Sequence, residues 1–108
     1  MGGDESFAAA FVEGYLNSKA YALSQLFSRY AILALFAFEK STNPDNSEYK
    51  QRMLKELKGV ATLPDHGTFN LAVLNQITQI LQEVNWNDHS QFSSAVQKVR
   101  ELRGKNNQ

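Results

Sequence analysis

Apolar side chains recur along this chain at intervals of three and four, and strict alternation is nowhere sustained. That spacing gathers the apolar residues of each segment on one side of a helix, so the pattern predicts an all-α chain of about five helices. The first predicted helix runs from Ser6 to Leu16, with Phe7, Ala10, Phe11 and Gly14 on one face. Asp4 and Glu5 stand ahead of it, where acids complement the positive end of a helix dipole. Asn17 and Ser18 end this helix or cap the next one. No proline or glycine separates the two, so one long bent helix satisfies the same pattern.

The second predicted helix runs from Ser18 to Lys40 and changes character along its length. In its first half Leu23, Leu26, Phe27 and Tyr30 lie opposite Ser24, Gln25, Ser28 and Arg29. From Tyr30 to Phe38 the only polar atom in a side chain is the tyrosine hydroxyl, and Ile32, Leu35 and Phe36 fall on the side that was polar before. A helix apolar all round must be covered all round. The run is bounded by Gln25, Arg29, Glu39 and Lys40, too tightly for the roughly 20 predominantly apolar residues of a bilayer span. The expectation is a central helix of a compact bundle, or one whose outer face meets a second chain.

Asn43 and Pro44 predict the cap and first residue of a third helix reaching Leu57. Tyr49, Met53, Leu57 and Val60 mark its buried side, with Leu54 beside them. Glu48 and Arg52 are spaced as a surface ion pair, Lys50, Lys55 and Lys58 point outward, and Gly59 is the expected stop. A linker from Val60 to Gly67 follows, with Val60 and Leu63 packing onto the core. The fourth helix is predicted from Thr68 to Val84, with a stripe of Phe69, Val73, Leu74, Ile77, Ile80, Leu81 and Val84. Its outer face, Asn75, Thr78, Gln79 and Gln82, carries no charge, a composition that also occurs where charged groups are excluded from a contact. Asp88 and Gln91 have capping-box spacing ahead of a fifth helix from His89 to Arg103, whose buried stripe is Phe92, Val96, Val99 and Leu102. Lys98, Arg100 and Arg103 complement its negative end and Gly104 closes it. The whole chain, 1–108, reads as one helical domain with 1–5 and 105–108 as flexible ends.

Composition narrows the chemistry. Eleven basic residues balance eleven acidic ones, so the basic excess of a non-specific nucleic-acid binder is missing. There is no cysteine, which excludes disulfides, thiolate metal ligands and cysteine nucleophiles. With neither a secretory signal nor a predicted span, the expected location is cytoplasmic.

Two segments share the pattern Asp-His-x-x-Phe-x-x-Ala-Val, starting at Asp65–His66 and at Asp88–His89. Imidazole and carboxylate together suit a metal or acid–base site, which makes these four residues the alternative functional reading. Each pair also reads as a helix start: aspartate caps, histidine lies in the first turn and phenylalanine opens the buried face. Neither histidine has a glutamate three residues before it, as di-iron bundles require. No Gly-x-Ser-x-Gly elbow and no glycine-rich phosphate loop is present. No cofactor, metal or small molecule is therefore expected. Nucleic-acid contact through Lys98, Arg100, Arg103 and Lys105 is a weaker alternative, interrupted by Glu101.

The reading is a non-enzymatic interaction module that presents a helical surface to a protein partner, with a homodimer as its simplest form. Its candidate contacts are Ile32, Leu35, Phe36 and Trp86, with Asn75, Gln79 and Gln82 on the neutral face. Trp86 has a competing place in the core, where an aromatic between two helices ordinarily packs.

Overall fold

The computed structural model describes residues 12–65 and 69–106, and all the regular structure among them is helical. Residues 12–16 form a helical turn, the described part of the first predicted helix. The expected face residues Phe7, Ala10 and Phe11 lie outside the described residues, as do the acids before them. Four longer helices follow: α1 (Lys19–Lys40), α2 (Ser47–Ala61), α3 (Leu71–Glu83) and α4 (His89–Asn106).

The break before α1 is real, so the single bent helix is set aside. Ser18 is extended (φ −76°, ψ 150°), and its hydroxyl accepts the Tyr21 N–H at 3.1 Å. A helix start leaves four N–H groups without intrahelical partners, and this bond satisfies one of them.

The start of α2 differs from expectation. Asn43 and Pro44 stay in the connecting loop, and the helix begins at Ser47, where the Asp45 carboxylate accepts the Ser47 N–H at 3.1 Å. The cause is tertiary: Asn46, at the cap position, turns its side chain inward and makes no capping bond of its own. At its other end α2 passes through Gly59 and stops at Ala61. Val60 is buried there, and its packing holds the last turn helical despite the glycine. A Cβ at Gly59 would meet nothing within 4 Å. Gly59→Ala is therefore expected to raise stability by about 1 kcal/mol, because alanine loses less backbone freedom on entering a helix. A urea midpoint that stays put or falls would contradict this.

Helix α3 starts at Leu71 and not at Thr68, which lies outside the described residues. Asn70 is its cap, with Oδ1 accepting the Ala72 N–H at 2.8 Å, while Phe69 packs half-buried against the core just before it. Asp88 caps α4 as its spacing predicted: Oδ1 accepts the Gln91 N–H at 3.0 Å, and the Gln91 amide reaches back to Oδ2 at 3.4 Å. Gly104 does not end α4, which continues to Asn106.

The helices close a ring. Helix α1 packs on α2 and α4, α2 on α3 and α3 on α4, and the backbones of diagonal partners do not come close among the described residues, so those helices share only the side-chain core. Leu23, Phe27, Tyr30, Ala31 and Ala34 of α1 meet Met53, Leu57 and Val60 of α2, Leu74, Ile77 and Leu81 of α3, and Phe92, Val96 and Val99 of α4. With those five buried residues, α1 is the central helix of this compact all-α fold. Tyr30 lies beside Tyr49 with ring centroids 6.4 Å apart. Its phenol pKa lies above the ordinary value, chiefly through a hydrogen bond to the Glu56 carboxylate, with burial adding to it.

Candidate interaction surface

A four-helix ring turns one side of every helix outward, and for α1 that side is apolar. The inward residues of α1 are followed around the wheel by Arg29, Ile32, Leu33, Phe36, Glu39 and Lys40, all exposed. Ile32 retains 63% of its surface and Phe36 51%, values normally reserved for polar positions. Helix α1 is central, yet no other described helix reaches its outer face, which leaves the second expectation for it, contact with another chain. Leu35 is not part of that face. It is half-buried and packs on the core, so two of the three apolar contacts expected on α1 point outward and one points in.

The ends of the strip are charged. The Lys40 ammonium stands 4.4 Å from the centroid of the Phe36 ring, a cation–π contact that caps one end. Arg29 flanks the other end, and Glu39 lies beside Lys40. The residues 29, 32, 36 and 39 advance by three, four and three, the spacing of a helix–helix seam. By length and composition alone, Lys19–Lys40 is also apolar enough to cross a membrane. Its inner side seals the ring core, and core helices of soluble proteins and signal sequences both have such a composition.

Trp86 is corrected from contact candidate to core residue. Only 3% of its surface is exposed, its ring lies 4.7 Å from that of Phe92, and its Nε1–H donates to the Leu81 carbonyl at 2.9 Å. That carbonyl sits in the last turn of α3, where helical partners run out. Lys50 serves the same end, donating from Nζ to the Val84 carbonyl at 3.1 Å, so it bridges inward from α2 and does not simply point to solvent. The neutral face of α3 is where it was expected: Asn75, Gln79 and Gln82 are exposed, and the Gln79 amide donates to Glu83 Oε1 at 3.1 Å.

The basic residues of α4 do not form one stripe. Lys98 lines a shallow groove of about 370 Å³ with Gln79, Glu83 and Glu101, so two carboxylates share its surroundings. Arg100 and Arg103 line a different cleft, beside α1. The Lys105 side chain lies outside the described residues.

Asp88 and His89 have structural roles. Asp88 caps α4, and the His89 ring stacks on Phe38 at 4.7 Å with an interplanar angle of 19°. Asp65 is exposed, and His66 lies outside the described residues. Among the described residues no three acidic or histidine side chains gather as a metal site would need.

Asn46 is the residue the sequence pattern missed. It is 1% exposed, and its Nδ2 donates to the Trp86 carbonyl at 3.1 Å and the Ala34 carbonyl at 3.4 Å. Its backbone N–H donates to Asn87 Oδ1 at 2.6 Å. One side chain thereby ties α1, the start of α2 and the α3–α4 turn. Periodicity carries no signal for such a bond, and with Asn43 as the expected cap Asn46 falls in the first turn of the predicted helix.

No family model, curated protein or solved structure matches the chain. The fold and surface together define a small all-α bundle whose central helix is apolar on both sides.

Proposed function

We propose that this domain is a non-enzymatic protein–protein interaction module whose primary partner is a second copy of itself, docked antiparallel along the outer face of α1. The observation that carries the reading is the exposed Ile32–Leu33–Phe36 strip with Arg29 at one end and Glu39 at the other. Two-fold symmetry makes this arrangement self-complementary. If residue 34 of one copy faces residue 34 of the other, Arg29 lies opposite Glu39 and Ile32 opposite Phe36, each pair occurring twice. The zero net charge of the chain does not oppose such pairing. A single helix pair is a small interface, below the ~1,600 Å² of a standard one, so the dimer is expected to dissociate on the order of micromolar concentrations. The lack of cysteine is compatible with the cytoplasm, where we place it.

Light scattering across a concentration series tests this directly. The wild-type chain is expected to approach twice the monomer mass, and Ile32→Asp to remain monomeric with its helical content intact. Glu39→Arg is expected to weaken the dimer, and Arg29→Glu added to it to restore pairing. Both positions are exposed, so the rescue separates assembly from folding. A wild-type chain that stays monomeric throughout, or that partitions into vesicles through α1, would overturn the reading.

A further inference from the structure

The cleft beside the first half of α1 draws on more elements than the strip and has a different chemistry. It has a volume of about 500 Å³, within the range of small-molecule sites, and lies between the 12–16 turn, the first half of α1, the segment leading into α3 and the end of α4. Arg100 and Arg103 enter it from α4, three residues apart and so on one side of that helix. Tyr15, Tyr21, Phe69 and Val73 supply the apolar and aromatic walls. The Tyr15 and Tyr21 rings meet edge to face, with centroids 5.3 Å apart.

Arg103 is the unusual group. Its guanidinium lies over the Phe27 ring, 4.9 Å from the centroid, and Nη1 donates to Ser24 Oγ at 3.2 Å. Its Nε is buried with no acceptor, and neither arginine has a carboxylate partner among the described residues. Burial, and then the charge of Arg100, lower the Arg103 pKa, as two cations sharing a partly dry cleft must do. The Ser24 hydroxyl, already accepting from Arg103, has its own proton to give. Helix-dipole complementation would need no such convergence, since a solvated arginine in the last turn serves as well. Two forked cations, a hydroxyl donor and an aromatic wall are the complement of a doubly charged anion on an apolar body.

We propose that this cleft binds a small organic phosphate monoester, its phosphate held by Arg103, Arg100 and the Ser24 hydroxyl and its body against Tyr15 and Tyr21. A phosphate monoester carries close to two negative charges at neutral pH, so it offsets both guanidinium charges, where a carboxylate offsets one.

Titration of the full chain with phenyl phosphate at fixed ionic strength, followed by amide shifts, tests the assignment. Saturable binding is expected, with shifts at Ser24, Tyr21 and Arg103. Affinity is expected to fall about tenfold in Arg100→Gln and in Arg103→Lys, since each loses a charge-assisted forked contact. Arg100 is exposed and Arg103→Lys keeps the charge and the stem, so both variants should fold. No saturable binding, or binding indifferent to both substitutions, would overturn the proposal. Benzoate binding as tightly as phenyl phosphate would overturn the phosphate assignment. Inorganic phosphate doing so would remove the organic body from it.

Discussion

Trp86→Ala is expected to destabilise the domain by about 3–5 kcal/mol, the range for truncating a large buried aromatic. Small domains have a total stability of ~5–15 kcal/mol, so the variant would sit near the edge of folding. Two separable effects add. The first is volume: Trp86 fills the space between Phe92 and the end of α3, and alanine leaves a cavity that the ring of helices cannot close without shifting. The second is polar: the indole N–H is the donor for the Leu81 carbonyl, and truncation leaves that carbonyl bare at a buried helix end. Trp86→Phe removes chiefly the second effect and should cost a smaller part of the total. Urea denaturation of the two variants measures both parts. Loss of less than about 1 kcal/mol in Trp86→Ala would mean the residue is not the anchor that its burial implies.

The second large effect is expected at Asn46. Replacement by alanine removes the donor for the Trp86 carbonyl and is expected to cost about 2–3 kcal/mol, the penalty of an unsatisfied buried acceptor plus a small cavity. Asn46→Asp should be worse at neutral pH, because a carboxylate would face two carbonyl oxygens where an amide donated to both. The pH dependence has a definite sign. A carboxyl in that position has a folded-state pKa raised above its unfolded value of about 3.9, because the buried charged form is disfavoured. Its protonated form can donate, so the variant regains stability as pH falls towards about 4 and loses it as pH rises through the raised pKa. Thermal midpoints of Asn46→Asp and wild type, compared between neutral and mildly acidic pH, read this out. Parallel curves would show that the side chain has escaped to solvent.

The two predictions mark where sequence reading succeeds and where it stops. The stripes Leu23–Phe27–Tyr30, Met53–Leu57–Val60, Leu74–Ile77–Leu81 and Phe92–Val96–Val99 were all legible, because burial of an apolar face is what helical periodicity reports. Caps with local partners, Asp88 above all, were legible for the same reason: donor and acceptor lie three residues apart. Failures came where a distant residue decided a local outcome. Asn46 faces Trp86 across 40 positions, and that bond delays the start of α2 past Pro44. Gly59 and Gly104 read as stops, yet both helices run on past them, and at Gly59 the burial of Val60 outweighs glycine's weak preference. The candidate surface was half legible. Periodicity placed Ile32 and Phe36 opposite the first-half core stripe but could not say whether anything covered them. The arginine cleft was not legible at all: it joins Ser24 to Arg103 over 79 positions of chain, and a basic helix end has an ordinary explanation in sequence terms.

The ring also has a direction of weakness. Three of its four joints link helices that follow one another, so each closes over a short connection at small entropic cost. The joint between α1 and α4 instead closes over the whole intervening chain, and it is the least extensive of the four. Releasing α4 opens that joint and the one with α3, a smaller loss of packing than releasing α1, and leaves the α1–α2 and α2–α3 joints closed. The last helix is therefore the element that peels away first, and amide exchange in α4 should proceed through a sub-global opening that leaves α1, α2 and α3 packed. Arg103, stacked on Phe27 and bonded to Ser24, is the latch across that seam. An anion seated in the cleft would bridge the same two helices, so its occupancy would be felt as slower exchange along the whole of α4.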